Sequence, residues 1–237
     1  MNPLFSYTTY IVDNKLISII TVCRNAEKHL EQTILSVIEQ TSTQYELIIV
    51  DGGSTDGTLD IVRKYDSYIS KWVSESDEGI SDAMNKGLSM AAGEYIYFLH
   101  SDDYLSSSDS LAKVIDAIDQ SEIHLFNLYY KTSTGITLKK PRGFNNWLWF
   151  KTGVFHQACL CHRRLFDRIG TFDTSFRIAM DHDFFLRAYK NKASVSYHDC
   201  AFSVMRDTGI SGNKDWPSLS SRFAEEKRLQ HKNNPPT

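Results

Sequence analysis

Short apolar runs alternate with stretches of helical period through the first half of the chain. Residues 16–22 (LISIITV) predict a strand, and residues 27–39, with Leu30, Ile34, Val37 and Ile38 on one face, predict a helix. Residues 46–50 (ELIIV) predict a second buried strand that ends in the turn Asp51-Gly52-Gly53-Ser54-Thr55-Asp56-Gly57. The helix after it carries Leu59, Ile61, Val62 and Tyr65 as its apolar stripe, with Ser54 or Thr55 as its cap. Residues 69–73 read as a strand, 81–92 as a helix, and 95–99 (YIYFL) as a strand stopped by His100-Ser101-Asp102-Asp103. A helix over 108–119 with a serine cap and a strand over 123–130 complete the alternation. Strands separated by helices of this length predict an α/β fold, a mostly parallel sheet covered on both faces.

The second half is less regular. Residues 132–151 are rich in Lys, Gly, Asn and Trp, with aromatics bunched at Trp147, Trp149 and Phe150. Residues 163–169, 181–190 and 218–230 read as helices, 195–204 as a strand, and 233–237 as a fraying tail. No internal repeat or Pro/Gly/Ser-rich linker divides the 237 residues, so one domain is expected over 1–237, with a first half to about residue 130, a second to about 215 and a C-terminal helix beyond. With 26 Lys+Arg against 29 Asp+Glu the chain lacks the basic footprint of a nucleic-acid binder, so no nucleic-acid partner is expected. No apolar stretch approaches the roughly 18 residues that span a bilayer. The first fourteen residues lack the basic-then-apolar layout of an export signal, and the four cysteines (Cys23, Cys159, Cys161, Cys200) include no CxxC. Reduced thiols in a cytoplasmic protein are the expectation.

In parallel sheets of this kind ligands bind beyond the carboxyl ends of the strands. The polar clusters fall at those ends: Arg24-Asn25 after the first strand, Asp51 after the second, Asp102-Asp103 after the fourth. Gly52 and Gly57 have the spacing of a nucleoside-triphosphate loop, but Thr58 stands where its lysine is needed and Asp56 adds negative charge. A tight turn with a helix cap explains the same residues. Carboxylates at the end of a buried strand must be solvated, paired or metal-bound. Neighbouring strand residues face opposite ways, so one of Asp102 and Asp103 would ligate a divalent ion while the other meets a second part of the ligand; a solvated capping turn is the alternative. Asp181 and Asp183 open a late helix two residues apart, so at most one addresses a site, and His182 between them reads as a surface partner or a base. His156, Cys159, Cys161 and His162 are too cramped for the usual tetrahedral zinc sets.

Four blocks in order resemble family 2 glycosyltransferases of the GT-A fold: ISIITVCRN at 17–25, IIVDGGSTDGT at 48–58, SESDEGISDAMNKGLSMAAGEYIYFLHSDD at 74–103 and FHQACLCHRRLFDRIGTFDTSFRIAMDHDFFLRA at 155–188, a likeness running to about residue 211. The last two are similar to bacterial enzymes building O-antigen, capsule or colanic-acid repeat units. The resemblance implies that Arg24 borders the uracil with Val22 backbone nearby, and that Asp51 belongs to the nucleoside pocket. It places Asp77, Asp82 and Asn85 beside the donor, with Lys86 countering the diphosphate. It assigns Asp102 to the ribose side, Asp103 to a Mn²⁺ or Mg²⁺ ion, and Asp181 to the general base. Three positions depart from the family pattern: Gly52 for the second Asp of VDDGS, Ser101 for the first Asp of DxD, and Met180 for the Glu before the base.

The activity so implied is inverting transfer of a hexose or N-acetylhexosamine from a UDP-sugar to an undecaprenyl-diphosphate-linked sugar, with a β-linked product. A leaving diphosphate is stabilised by a cation and one carboxylate suffices as base. Such an acceptor implies peripheral contact with the inner face of the cell membrane, for which residues 147–150 and the basic C-terminal helix are the candidates. A nucleotide-sugar-binding module without catalysis is the alternative reading.

Overall fold

The computed structural model describes residues 16–208 and 215–233. The expectations for the first fourteen residues, the end of the likeness near residue 211 and the tail at 234–237 lie outside the described residues. Four parallel strands form one side of the sheet: β1 (Ile17–Cys23), β2 (Tyr45–Asp51), β3 (Lys71–Ser74) and β4 (Tyr95–Phe98), in the order β3-β2-β1-β4. The sheet then runs on through β8 (Cys159–His162), β6 (Ile123–Thr132), β9 (Val195–Arg206) and the two-residue β5 (Tyr104–Leu105), while β7 (Gly135–Lys139) pairs with β6. Strand β8 is antiparallel to both neighbours, and β6 and β9 are parallel.

Period-two alternation sends β1 to two cores at once. Ile17 and Ile19 pack with α1 (Leu30–Ile38), α2 (Thr58–Lys64) and α4 (Ser110–Ala117) on one face. Ile20 and Val22 pack with α3 (Ile80–Met90), α5 (Arg163–Ile169) and α6 (Met180–Lys190) on the other. Helix α3 lies close on β1 because of Gly87, where a Cβ would overlap the Ile20 Cγ2. The last helix, α7 (Trp216–Asn233), joins that second core through Leu229, which is fully buried.

Most boundaries fall within two or three residues of the expected ones, and the exceptions have local causes. Helix α2 is not capped by Ser54 or Thr55: the Ser54 hydroxyl donates to Asp51, and Asp56 Oδ1 instead accepts from the Thr58 amide at 3.0 Å. Helix α4 starts at Ser110 behind Asp109 rather than at residue 108. Strands β5, β7 and β8 lie in segments without marked alternation and are held by their partners in the sheet. Asn233 does not fray: it is buried, with its amide donating to Leu229 O at 3.0 Å and its Oδ1 accepting from Lys190.

Candidate active site

The turn after β4 lies across the His156 ring from the amino end of α6. At the end of β4 the turn His100-Ser101-Asp102-Asp103 is pinned from two sides. The Thr33 hydroxyl of α1 donates to Ser101 O at 2.9 Å and to Asp103 O at 2.7 Å. Arg206, at the end of β9, gives its backbone amide to Asp103 Oδ1 at 3.0 Å and its guanidinium to Asp102 O and Gln32 Oε1. Asp103 is 1% exposed, and burial with Asp102 alongside holds its carboxyl well above the usual range, only partly offset by Arg206. The carboxylate expected to face a metal therefore points into the protein. Asp102 is the half-buried member of the pair, and its Oδ2 accepts from the Thr208 hydroxyl at 2.9 Å.

A histidine relay links this turn to α6. The His100 ring meets the His156 ring edge-on at 4.7 Å between centroids, and His156 Nδ1 stands 3.4 Å from Asp181 Oδ2. Burial, with His156 beside it, lowers the His100 pKa to about 3, so His100 is neutral across the physiological range. The His156 Nε2 is buried with no hydrogen-bond partner among the described residues. Asp181 keeps a partly exposed side chain, and its Oδ1 accepts from the His182 amide at 2.7 Å, which fixes the rotamer. Asp181 thus lies across one imidazole from a ring two residues before Asp102.

Neighbouring residues do other work. His182 is not on the surface: it is 2% exposed, with Nε2 2.7 Å from Leu148 O. Asp183 is fully buried between Arg187 at 2.7 Å and Lys232 at 2.9 Å. Cys159 and Cys161 face each other at 3.7 Å, His162 turns to Glu94, and no three metal-binding side chains gather among the described residues.

Several residues expected at the donor have partners within the chain. Asp51 is fully buried and accepts from the amides of Gly53 and Ser54 and the hydroxyls of Ser54 and Ser74, so it shapes the turn rather than presenting a carboxylate. The same contacts keep its pKa low despite burial. Asp82, in the first turn of α3, accepts from the Glu78 amide at 3.1 Å. Asn85 clamps residue 172 through both its amide atoms. Lys86 is held by Glu75, Asp82 and Ser76 O. Val22 is 6% exposed, whereas Arg24 and Asp77, at the ends of β1 and β3, stay accessible. A surface hollow of about 690 Å³ lined by Phe144, Trp149, Tyr189 and Tyr197 shares no residue with these strand ends.

The profile of glycosyl transferase family 2 matches residues 18–184, which contain every one of these strand-end residues and Asp181. The chain belongs to glycosyl transferase family 2. A PGL/p-HBAD biosynthesis glycosyltransferase of Mycobacterium tuberculosis is 34% identical over 192 residues, 76% of this chain and 72% of the relative. The putative teichuronic acid biosynthesis glycosyltransferase TuaG of Bacillus subtilis is 44% identical over 91 residues, 37% of this chain and 36% of its own. Among solved structures, S. aureus TarS 1-349 in complex with UDP-GlcNAc superimposes with a TM-score of 0.69 at 23% identity, covering 91% of this chain and 65% of that one. That likeness shows the fold, the GT-A arrangement expected from the sequence, and the glycosyltransferase spans about two thirds of the TarS chain it matches.

The glycosyltransferase also carries a brace at the amino end of α6 that the motifs do not announce. Glu225 of α7 accepts the amides of Arg177, Ile178 and Ala179 at 2.8–2.9 Å, immediately before α6. A carboxylate there also complements the α6 dipole. Lys232 bridges Asp173 at 2.9 Å and Asp183, and Arg228 covers the Phe176 ring at 4.3 Å. Two of the basic residues expected to face lipid, both exposed, thus also have partners within the protein.

The hydrogen bond from Lys232 holds the Asp173 carboxyl well below the usual range. A depressed folded pKa gives stability that is present above the unfolded value, about 4, and lost as pH falls through the folded one. Thermal melts from pH 5 to pH 2 are expected to show an acid-side decline that is shallower in Asp173→Asn. Equal slopes would remove Asp173 from it.

Proposed function

We propose that this glycosyltransferase moves a hexose or N-acetylhexosamine from a UDP-sugar to a lipid-diphosphate-linked sugar in the synthesis of a bacterial surface polysaccharide, with inversion to a β-linkage. The observation that carries the reading is the approach of Asp181, through His156 and His100, to the Asp102 turn at the end of β4. The TarS complex with UDP-GlcNAc and the teichuronic acid assignment of TuaG support the donor and the product class.

In this reading Asp181 Oδ2 accepts the proton of the attacking hydroxyl while Oδ1 stays on the His182 amide. The carboxylate is anchored before the substrate arrives, so no reorganisation is needed at the moment of attack. His156 Nδ1, at 3.4 Å, flanks the accepting oxygen and sets its direction. The nucleoside lies over the ends of β1 and β2 against Arg24 and the Val22 backbone.

The donor set fits a divalent ion in one way. Asp103 is buried on the Arg206 amide, so Asp102 is the carboxylate left to hold Mn²⁺ or Mg²⁺, with diphosphate oxygens of the donor as further ligands. Such an ion would offset the charge of the departing diphosphate. Exposed Trp147 and Phe150, with Trp216 and Phe223 of α7, offer apolar rings for peripheral contact with a membrane that carries the acceptor. No described helix is long and apolar enough to cross one.

Release of UDP or GDP from a panel of UDP- and GDP-sugars, with and without Mn²⁺, tests the proposal. The matching UDP-sugar is expected to be turned over, and at about 100 times its Kd to raise folding stability by about 2.7 kcal/mol. Turnover of GDP-sugars alone would overturn the donor assignment.

A further inference from the structure

The departure at residue 52 leaves a question the site has not answered: which group reads the edge of the nucleobase when the second carboxylate of the loop is absent. Three adjacent strand ends frame the place. Arg24 follows β1, Gly52 follows β2, and Asp77 follows β3, and the order β3-β2-β1 sets Gly52 between the other two. The loop after β3 is tied alongside β2 by the Glu75 amide on Asp51 O at 3.0 Å, and Gly52 is tied to β1 by its own amide on Cys23 O at 2.9 Å.

A side chain at residue 52 has no room. A Cβ built there would overlap Asp77 Oδ2, lie 3.0 Å from Asp77 Cγ and stand 3.5 Å from Arg24 Cδ. The Asp77 carboxylate thus occupies the volume that a side chain at 52 would need. Its Oδ1 accepts from the Gly79 amide at 3.0 Å, which fixes the group, while Oδ2 has no hydrogen-bond partner among the described residues. Arg24 is exposed and makes no ion pair with Asp77, so two opposite charges flank a buried glycine without neutralising each other. A fixed carboxylate and an exposed guanidinium, not paired with each other among the described residues, leave a side-chain-free floor between them that suits a planar polar ring.

We infer that Asp77 is the nucleobase-reading residue of this enzyme, accepting the imide N–H of a uracil ring through Oδ2 in place of the carboxylate absent at residue 52. The inference rests on the UDP-sugar reading above. Its chemistry is selective. A carboxylate only accepts, uracil offers an N–H between two carbonyls, and cytosine offers a lone pair at the same ring position. A site built to bond an N–H rejects a ring that lacks it, because its own polar group is then left unpaired. Arg24, on the other side of Gly52, is placed to cover the ring face or donate to a carbonyl.

Calorimetric titration of the full chain with UDP and with CDP tests the inference on Asp77→Asn, Gly52→Asp and the double variant Gly52→Asp/Asp77→Ser. Wild type is expected to prefer UDP over CDP by about tenfold or more. Asp77→Asn, whose amide can donate to the cytosine nitrogen, is expected to lower that preference by about tenfold. Gly52→Asp alone loses UDP binding because its side chain meets Asp77, and the double variant regains the preference for UDP. An unchanged UDP-to-CDP ratio in Asp77→Asn overturns the inference while leaving the donor reading intact. So does a double variant that melts like wild type yet does not regain the preference. A wild-type chain that binds neither nucleotide overturns the donor reading and this inference with it.

Discussion

Asp181→Asn is expected to lower kcat by about 10²- to 10⁴-fold, the contribution of a positioned general base, while UDP affinity stays at the wild-type value. The substitution is nearly isosteric and keeps an oxygen to accept from the His182 amide, so the amino end of α6 remains folded. What it removes is the capacity to take a proton at the oxygen facing His156. Single-turnover assays alongside UDP titration separate the two effects. Wild-type turnover in Asp181→Asn would move the base elsewhere, and a parallel loss of UDP binding would show that Asp181 shapes the donor pocket instead. His156→Ala gives a companion measurement, because a ring that only directs the accepting oxygen leaves the UDP Kd unchanged while kcat falls.

Glu225→Ala has the next largest expected effect. Three amides of residues 177–179 lose one charged acceptor together, and bonds to charged groups are worth about 1.5–3 kcal/mol each where water cannot replace them. Since Arg177 is exposed and Ala179 buried, partial rehydration leaves an expected loss of about 2–4 kcal/mol. Denaturant unfolding measures it directly. Because those amides lead into the turn that carries Asp181, kcat should fall by about tenfold or more with the donor KM unchanged, small displacements of a reacting group being costly. Glu225→Gln keeps an acceptor oxygen and should recover much of both. If Glu225→Ala matched wild type in stability and kcat, α7 would be packed on the enzyme without bracing it.

The donor half was legible in the sequence because its signals are local. Apolar runs such as 46–50, the glycine-bearing turn after them and the helical stripe of 59–65 each specify their element within a few residues, and the parallel order follows from the alternation. That one of Asp181 and Asp183 could address a site is legible in the first turn of a patterned helix, whereas the choice of Asp181 rests on the family resemblance. The division between Asp102 and Asp103 was not legible, because it is decided by Arg206, a hundred residues away, whose amide draws Asp103 inward. The partners of Asp51, Asp82, Asn85 and Lys86 were not legible either, because only folding supplies them, such as Ser74 for Asp51 and residue 172 for Asn85. His156 was visible only as an implausible zinc ligand, since its partner Asp181 lies on another element. Glu225 left no signal at all in a polar helix. The resemblance set Asp77 beside the donor, but the clue to its place over residue 52 was negative: a glycine where a carboxylate is usual implies that some other group stands in its space.

The brace from α7 also bears on how the protein is made. During synthesis the strands and helices of the donor half emerge first and can fold on each other, since β1 to β4 need nothing from residues beyond 215 to pair. The loop before Asp181 gains its acceptor only when Glu225 has left the ribosome. On the proposed function, a nascent chain would therefore be able to hold a nucleotide before it could activate an alcohol, with chemistry withheld until α7 docks.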